Sequence, residues 1–211
     1  MSVFRFDAVE FRERARERLL NEPPIHHGRS DDDLNPGIEA ISPDAPQRPA
    51  AVLVPIVVRE PELAVLFTQR TEHLPSHAGQ IAFPGGKIDR RDKDAVLAAL
   101  RETEEETGLE RSFIEPIGFL DGYLTRTSFR IIPVVALVRP GFTLKPAQDE
   151  VSAVFEVPLR FLMSAENHAR HSLEWKGRTR FYYAMPYGER YIWGATAGMI
   201  RNLYDRMYAA P

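Results

Sequence analysis

Four glutamates crowd one short stretch of this chain: Glu102, Glu104, Glu105 and Glu106, with Thr107 and Gly108 directly after them. The pattern predicts a helix over Asp92–Thr107, because Gly108 supplies the residue that tolerates the left-handed turn after a helix end. Glu102, Glu105 and Glu106 then fall at i, i+3 and i+4, and their carboxylates converge within an arc of about 100°. Exposed acids at a helix C-terminus each cost roughly 0.3–1 kcal/mol. Like charges four residues apart add about 0.2–0.5 kcal/mol. Arg101 is the local relief, and a merely solvated face would alternate in sign or lie near the N-terminus. The cluster therefore implies a cationic partner. Hard divalent ions take oxygen ligands, and Mg²⁺ usually binds a few carboxylates together with a substrate's phosphates. Metal-assisted phosphate chemistry is what these residues point to.

Two elements must position such a site. The helix needs a buried face, and Val96, Ala99, Leu100, Thr103 and Thr107 supply an apolar-to-neutral stripe at helical spacing. A loop, Phe83-Pro84-Gly85-Gly86, stands just upstream, and its paired glycines allow close backbone approach or positive φ.

Gly86, Asp92 and Arg101-Glu102-Thr-Glu-Glu105-Glu106-Thr-Gly108-Leu109 together resemble the Nudix box, G-x5-E-x7-R-E-U-x-E-E-x-G-U with U bulky and apolar. Thr103 takes the first apolar slot, Asp92 stands for the Glu, and one extra residue separates it from Arg101. Upstream, Leu66-Phe-Thr68-Gln-Arg70-Thr71 and Gly79-Gln80-Ile-Ala-Phe83-Pro84-Gly85-Gly86 resemble the extension of the coenzyme A diphosphatase subfamily, as does Tyr191-Ile-Trp193-Gly194-Ala-Thr196-Ala near the end. Thr71 replaces the subfamily's Ser or Ala, and Pro75 stands where a second Arg is expected.

The resemblance implies a site. Glu102, Glu105 and Glu106 would ligate Mg²⁺ or Mn²⁺, with a backbone carbonyl near Gly85 and Gly86 as a further ligand. Arg101 would orient the carboxylates, paired with Asp92 or a helix neighbour. Glu105 and Glu150 are the two candidates for general base. Arg70, in the subfamily extension, with Gly85 and Gly86 would meet the substrate's phosphates, a surface ion pair being the alternative for Arg70; Lys87 and Arg126 are second-tier contacts. Tyr123, Phe129 and Tyr182 could stack a base, although core packing is the commoner use of strand aromatics. The implied reaction is hydrolysis of the diphosphate bond of coenzyme A or a CoA derivative, to 3′,5′-ADP and (acyl-)4′-phosphopantetheine. Pro75 keeps NADH, ADP-ribose or an oxidised nucleotide open as substrates. A catalytically silent nucleotide-binding module would ordinarily have lost box glutamates, and all three are here.

Bulk properties narrow the class. A chain of 211 residues with 44% hydrophobic and 27% charged residues suits one sizeable globular domain. A net charge of −3 argues against general nucleic-acid binding. With no cysteine there is neither disulfide nor thiolate metal site. The N-terminus lacks the apolar core of a secretory signal, and no run approaches the ~20 apolar residues of a membrane span. The expectation is a cytoplasmic enzyme with a small-molecule substrate and no nucleic-acid or membrane partner, either monomeric or a homodimer.

Along the chain, residues 3–21 read as an amphipathic helix whose arginines are offset by Glu10, Glu13 and Glu17, packed on the domain. Residues 22–49 show no periodicity and read as a long surface connection, with His26 and His27 solvated. Residues 1–49 thus form an N-terminal helix and connection, and 50–211 the hydrolase domain. Ala51–Val58 reads as a buried strand, with Pro55 suggesting an edge or bulge, and Leu63–Gln69 as its hairpin partner. Further strands are expected at 80–83, 116–123, 129–138 and 150–157. A short helix should follow Pro158, then a hairpin around residues 176–178 and a closing helix near 194–208. The fold class is α+β, and the Nudix resemblance implies an α/β/α sandwich with a mixed central sheet plus the N-terminal helical arm. His73 and His77 lie four apart in a Pro-containing loop, which does not make them a zinc pair.

Overall fold

A computed structural model describes residues 4–36, 46–175 and 177–209. Its centre is a nine-stranded mixed sheet. Strands β1 (His27–Ser30), β7 (Gly122–Leu124), β8 (Phe129–Val138), β2 (Arg48–Val57), β3 (Ala64–Arg70) and β4 (Ile81–Ala82) run side by side in that order. β5 (Gly85–Lys87) pairs with β2, β6 (Ile114–Phe119) with β8, and β9 (Val151–Pro158) with β3. β2 and β8 are parallel through the whole of β2, from Arg48 opposite Phe129 to Val57 opposite Val138.

The apolar run in β2 is continuous because both faces of the sheet are covered. Ala51, Leu53 and Val57 face helix α2 (Ala95–Thr107), together with Ala98, Ala99 and Leu100. Val52, Val54 and Ile56 face the other way, into a core shared with helices α1 (Ala8–Arg18) and α4 (Gly194–Met207). This is the expected three-layer arrangement. Helix α1 belongs to it: Phe11 and Ala15 are buried in that core with Leu203 and Met207 of α4. Its Arg14 bonds Glu10 on its own helix, as expected, and the Met207 carbonyl of α4.

Pro55 is a correction, because β2 lies in the middle of the sheet. On the side away from β8, β5 covers residues 50–52 and β3 covers only Ile56 and Val57. Pro55 falls in the gap where the strand changes neighbours, so a missing N–H is tolerated there. Residues 27–30 are a second correction: they form β1, parallel to β7, inside the stretch read as structureless. The part of that stretch at 37–45 lies outside the described residues.

A second, antiparallel sheet carries β10 (Ala169–Trp175), β11 (Arg178–Tyr187) and β12 (Arg190–Trp193). Its hairpin around 176–178 was expected, and β12 was not. β12 reaches only from Ala184 to Tyr187 along β11. Where it stops, the Asn35 side chain takes over, accepting from the Phe181 amide at 2.8 Å and donating to the Phe181 carbonyl at 2.9 Å. The short helix after Pro158, α3, spans Leu159–Leu162. Among the described residues no helix is long and apolar enough to cross a membrane.

Candidate active site

Helix α2 begins three residues later than its sequence suggests. Asp94 is the N-cap, its carboxylate accepting from the Leu97 amide at 2.8 Å, the usual means of satisfying a helix's first free donors. Asp92 therefore stands outside the helix. It accepts from the Asp89 amide at 2.8 Å and receives both arms of the Arg101 guanidinium, at 3.0 and 2.8 Å. That fork holds the Asp92 carboxyl well below its ordinary range. The C-terminus follows expectation, with Gly108 at φ 71°. Ala99, Leu100, Thr103 and Thr107 are buried and Val96 partly so. The two buried hydroxyls return hydrogen bonds to the Ala99 and Thr103 carbonyls at 2.7 and 2.6 Å.

The Phe83–Gly86 loop brings its glycines against the helix. Gly85 sits at φ 150°, and a Cβ there would lie 2.4 Å from the Ala51 carbonyl oxygen and 2.5 Å from the Val52 Cα. No side chain fits that place. At Gly86 a Cβ would instead fall 2.5 Å from the carboxyl carbon of Glu102. The first glycine is thus needed by the sheet, and the second by the acid.

Glu106 is the most constrained of the cluster. It is only 6% exposed, and its Oε2 accepts from the Gly85 amide at 3.1 Å. Burial pushes its carboxyl up to about 7; the Gly85 amide and nearby Arg70 oppose that, while Glu102 and Glu150 add to it. Glu102 is pushed up as well, again mainly by burial, against the pull of Arg101 at 2.9 Å. Glu102, Glu106 and Glu150 therefore feel one another, across helix α2 and the residue just before β9.

Glu105 is placed differently. Its side chain is 61% exposed and bonds Arg101 at 3.0 Å, which draws it towards the outer face. Among the described residues, no three His, Cys, Asp or Glu side chains are gathered as a ready cage for a metal ion. What the residues do show is unsatisfied negative charge: a buried carboxylate on one amide, a second half-buried beside it, and a third near both. That chemistry fits a divalent cation, with Glu102 and Glu106 as the candidate inner oxygen donors, while Glu105 is held outward on Arg101.

The expected phosphate contacts surround an opening beside this cluster. Arg70 ends β3; its side chain makes no hydrogen bond or ion pair among the described residues and carries a buried Nε–H without an acceptor. Lys87 is exposed, and its carbonyl accepts from Arg101 at 3.3 Å. Arg70, Gly85, Gly86 and Lys87 all line a cavity of about 700 Å³ that extends to the small sheet. Arg126 is engaged elsewhere, paired to Asp32 at 2.7 Å. Of the three aromatics, Tyr123 is buried with its hydroxyl on Asp31 at 3.1 Å, Phe129 lies under the Arg48 guanidinium at 4.0 Å, and Tyr182 packs edge-on to Trp193. His77 bonds Gln80 at 2.9 Å. The wall formed by Asp31, Asp33 and Arg180 escaped the sequence reading, because a run of three aspartates in a Pro-rich stretch looks like solvated loop.

The NUDIX domain model matches residues 47–176. The chain is 42% identical to "Uncharacterized Nudix hydrolase NudL" of Escherichia coli (strain K12) over 156 residues, which is 74% of this chain and 81% of that one. Its Shigella flexneri counterpart is 40% identical over 164 residues, 78% of this chain and 85% of that one. Among solved structures, a MutT/nudix family protein from Enterococcus faecalis aligns with a TM-score of 0.49 at 18% identity, covering 80% of this chain and 64% of that one. On the domain match and these relatives, the chain belongs to the Nudix hydrolases, enzymes acting on phosphoric anhydrides.

Proposed function

We propose that this chain hydrolyses the diphosphate bond of coenzyme A or a CoA derivative, releasing 3′,5′-ADP and (acyl-)4′-phosphopantetheine, with residues 50–211 as the hydrolase domain. One observation carries the reading. The Arg70 guanidinium, unpartnered among the described residues, and the Gly85–Gly86 backbone lie beside buried Glu106 and half-buried Glu102 and open on a cavity large enough for an extended dinucleotide-like substrate. The subfamily motifs around Arg70 and Phe83 direct that general diphosphate chemistry towards coenzyme A.

Nudix enzymes generally use divalent metal ions. Here Glu102, Glu105 and Glu106 would hold Mg²⁺ or Mn²⁺; when bound, the ion neutralises the diphosphate oxygens and makes water more acidic. The chain's own residues do the rest. Arg101, braced on Asp92, fixes the Glu102 carboxylate and would release Glu105 to the ion. Arg70 and Lys87 would take phosphate oxygens beside the acids, while Gly85 and Gly86 let the loop backbone lie against β2 and the Glu102 carboxylate. Glu150 would take the proton of the attacking water, a role supported by its charge acting on both inner glutamates and by its exposure. Glu105 is the other candidate base.

The test is a substrate panel offered to the purified protein with Mg²⁺ and with Mn²⁺: coenzyme A, acyl-CoAs, NADH, ADP-ribose and 8-oxo-dGTP, with products separated by chromatography. Preferred release of 3′,5′-ADP supports the reading. Turnover of NADH, ADP-ribose or 8-oxo-dGTP with none of any CoA would replace it.

A further inference from the structure

Beyond the diphosphate, the cavity has a second demanding end. Two buried guanidinium N–H groups lack an acceptor among the described residues, Nε of Arg70 and Nε of Arg180, and both residues line the same 700 Å³ cavity. They come from different layers: Arg70 closes β3 of the large sheet, and Arg180 lies in β11 of the small one. A buried donor left unsatisfied costs about 1–3 kcal/mol, so such groups usually mark a place where something else supplies the acceptor.

Arg180 is held in position by acids that it shares: Asp31 feels its charge but is already bonded by the Arg126 amide and the Tyr123 hydroxyl. The Arg180 guanidinium reaches Asp32 at 3.3 Å, but Arg126 takes the same Asp32 oxygen more closely, at 2.7 Å. Trp175 lies 5.4 Å from it and steadies the plane. One carboxylate is thus shared by two guanidiniums. The charge balance of the whole cavity points the same way. Arg29, Arg48, Arg70, Lys87, Arg180 and Arg201 line it, against Asp31 and Asp33. Adding the partners Asp205, Asp32 and Arg126 still leaves cations ahead, in a chain whose net charge is −3. Positive charge is concentrated here against the trend of the molecule, which suits a polyanion.

Arg70 and Lys87 serve the diphosphate end, so a simple diphosphate would leave the Arg180 end unanswered. Phe181, Tyr182 and Trp193 on the same wall offer flat apolar surface for a base. We propose that Arg180 is a specificity-determining residue that receives a second phosphoryl group of the substrate, carried on the nucleoside away from the scissile diphosphate. The inference rests on the diphosphatase reading above. It separates coenzyme A, which has a 3′-phosphate on its ribose, from dephospho-CoA, NADH and ADP-ribose, which have none.

Equilibrium binding to the metal-loaded protein tests it without relying on turnover. Adenosine 3′,5′-bisphosphate and AMP are titrated by calorimetry into the wild type, Arg180→Gln and Arg180→Lys. The wild type should bind the bisphosphate at least tenfold more tightly than AMP. Arg180→Gln should erase that ratio, and Arg180→Lys should keep only part of it, because an ammonium lacks the planar fork. A wild type that binds both ligands equally overturns the proposal, and so does an Arg180→Gln variant that keeps the full ratio, whatever happens to overall affinity. The companion rate comparison, coenzyme A against dephospho-CoA, should show the same collapse in relative kcat/KM. If the bisphosphate ratio depends on Arg180 but no CoA is hydrolysed, the substrate assignment fails and the role of Arg180 stands.

Discussion

The Gly85 amide donates to Glu106 at 3.1 Å, and that is the only hydrogen bond the buried Glu106 carboxylate receives among the described residues. Burial, with Glu102 and Glu150 nearby, outweighs that bond and the pull of Arg70, which is why its carboxyl is pushed up to about 7. A metal must bind the ionised form, so ion binding releases a proton in this range. Mn²⁺ affinity should therefore fall about tenfold per unit of pH below 7 and level off above it. Titrations at pH 6 and pH 8 in two buffers of different ionisation enthalpy check both the slope and the proton release. An affinity that does not change with pH would remove Glu106 from the ligand set.

The same group gives a stability signature in the metal-free protein. Its folded pKa lies above the unfolded one, so the stability that it contributes is fully present below about 4.5 and is lost as pH rises through about 7. The full swing is on the order of 3 kcal/mol. Glu106→Gln keeps an oxygen for the Gly85 amide and removes the charge. It should raise the thermal midpoint of the metal-free protein at pH 8 and leave it nearly unchanged at pH 5, while lowering turnover by about a hundredfold or more. A drop in midpoint at pH 8 would contradict the electrostatic account.

The two loop glycines should fail in different ways. Gly85→Ala puts a Cβ into the β2 backbone at a φ of 150°, and backbone cannot move aside cheaply. It should cost at least about 2 kcal/mol of stability, seen as a lower denaturation midpoint. The atoms nearest to the Cβ of Gly86→Ala are those of the Glu102 carboxylate, the end of a flexible side chain. This variant should fold with a near-normal midpoint and lose about tenfold or more of kcat, with a weaker metal dependence. The dissociation between stability and rate is the measurement, and equal stability loss in both variants would undo the assignment.

Much of this candidate site is legible in the sequence, and what is not has physical causes. The acidic cluster declared itself because four glutamates at a helix C-terminus are electrostatically costly, and Gly108 marked the end correctly. The helix start was misplaced because Asp92 and Asp94 are equally good caps in sequence, and only the fork from Arg101 distinguishes them. β1 was invisible because His-Gly-Arg-Ser has no strand propensity; it is held by pairing with β7 and by Arg29 on Asp205. Spacing also suggested three converging carboxylates, whereas Arg101 turns Glu105 outward and Glu150 comes in from a distant strand end. Periodicity reports which face a residue occupies, not which neighbour across the fold claims its charge.

Arg101 makes hydrogen bonds to Asp92, Glu102, Glu105 and the Lys87 carbonyl, so one guanidinium connects the segment before α2, the helix and the glycine loop. Arg101→Lys keeps the charge but cannot make a two-armed contact with Asp92 while also reaching the glutamates. The variant should fold, since the charge still offsets the acids. Its apparent metal affinity and kcat should fall together by about tenfold to a hundredfold, with KM for the nucleotide substrate changed far less, because Arg101 faces the carboxylates and does not line the cavity. Arg70→Lys should show the reverse split: Arg70 lines the cavity and has no ion pair to lose among the described residues, so KM should rise tenfold or more and metal affinity should change little. Steady-state kinetics across Mn²⁺ and substrate concentrations read both effects. If the two variants shift the same parameter, the division between a residue that positions the ligands and one that meets phosphate is wrong.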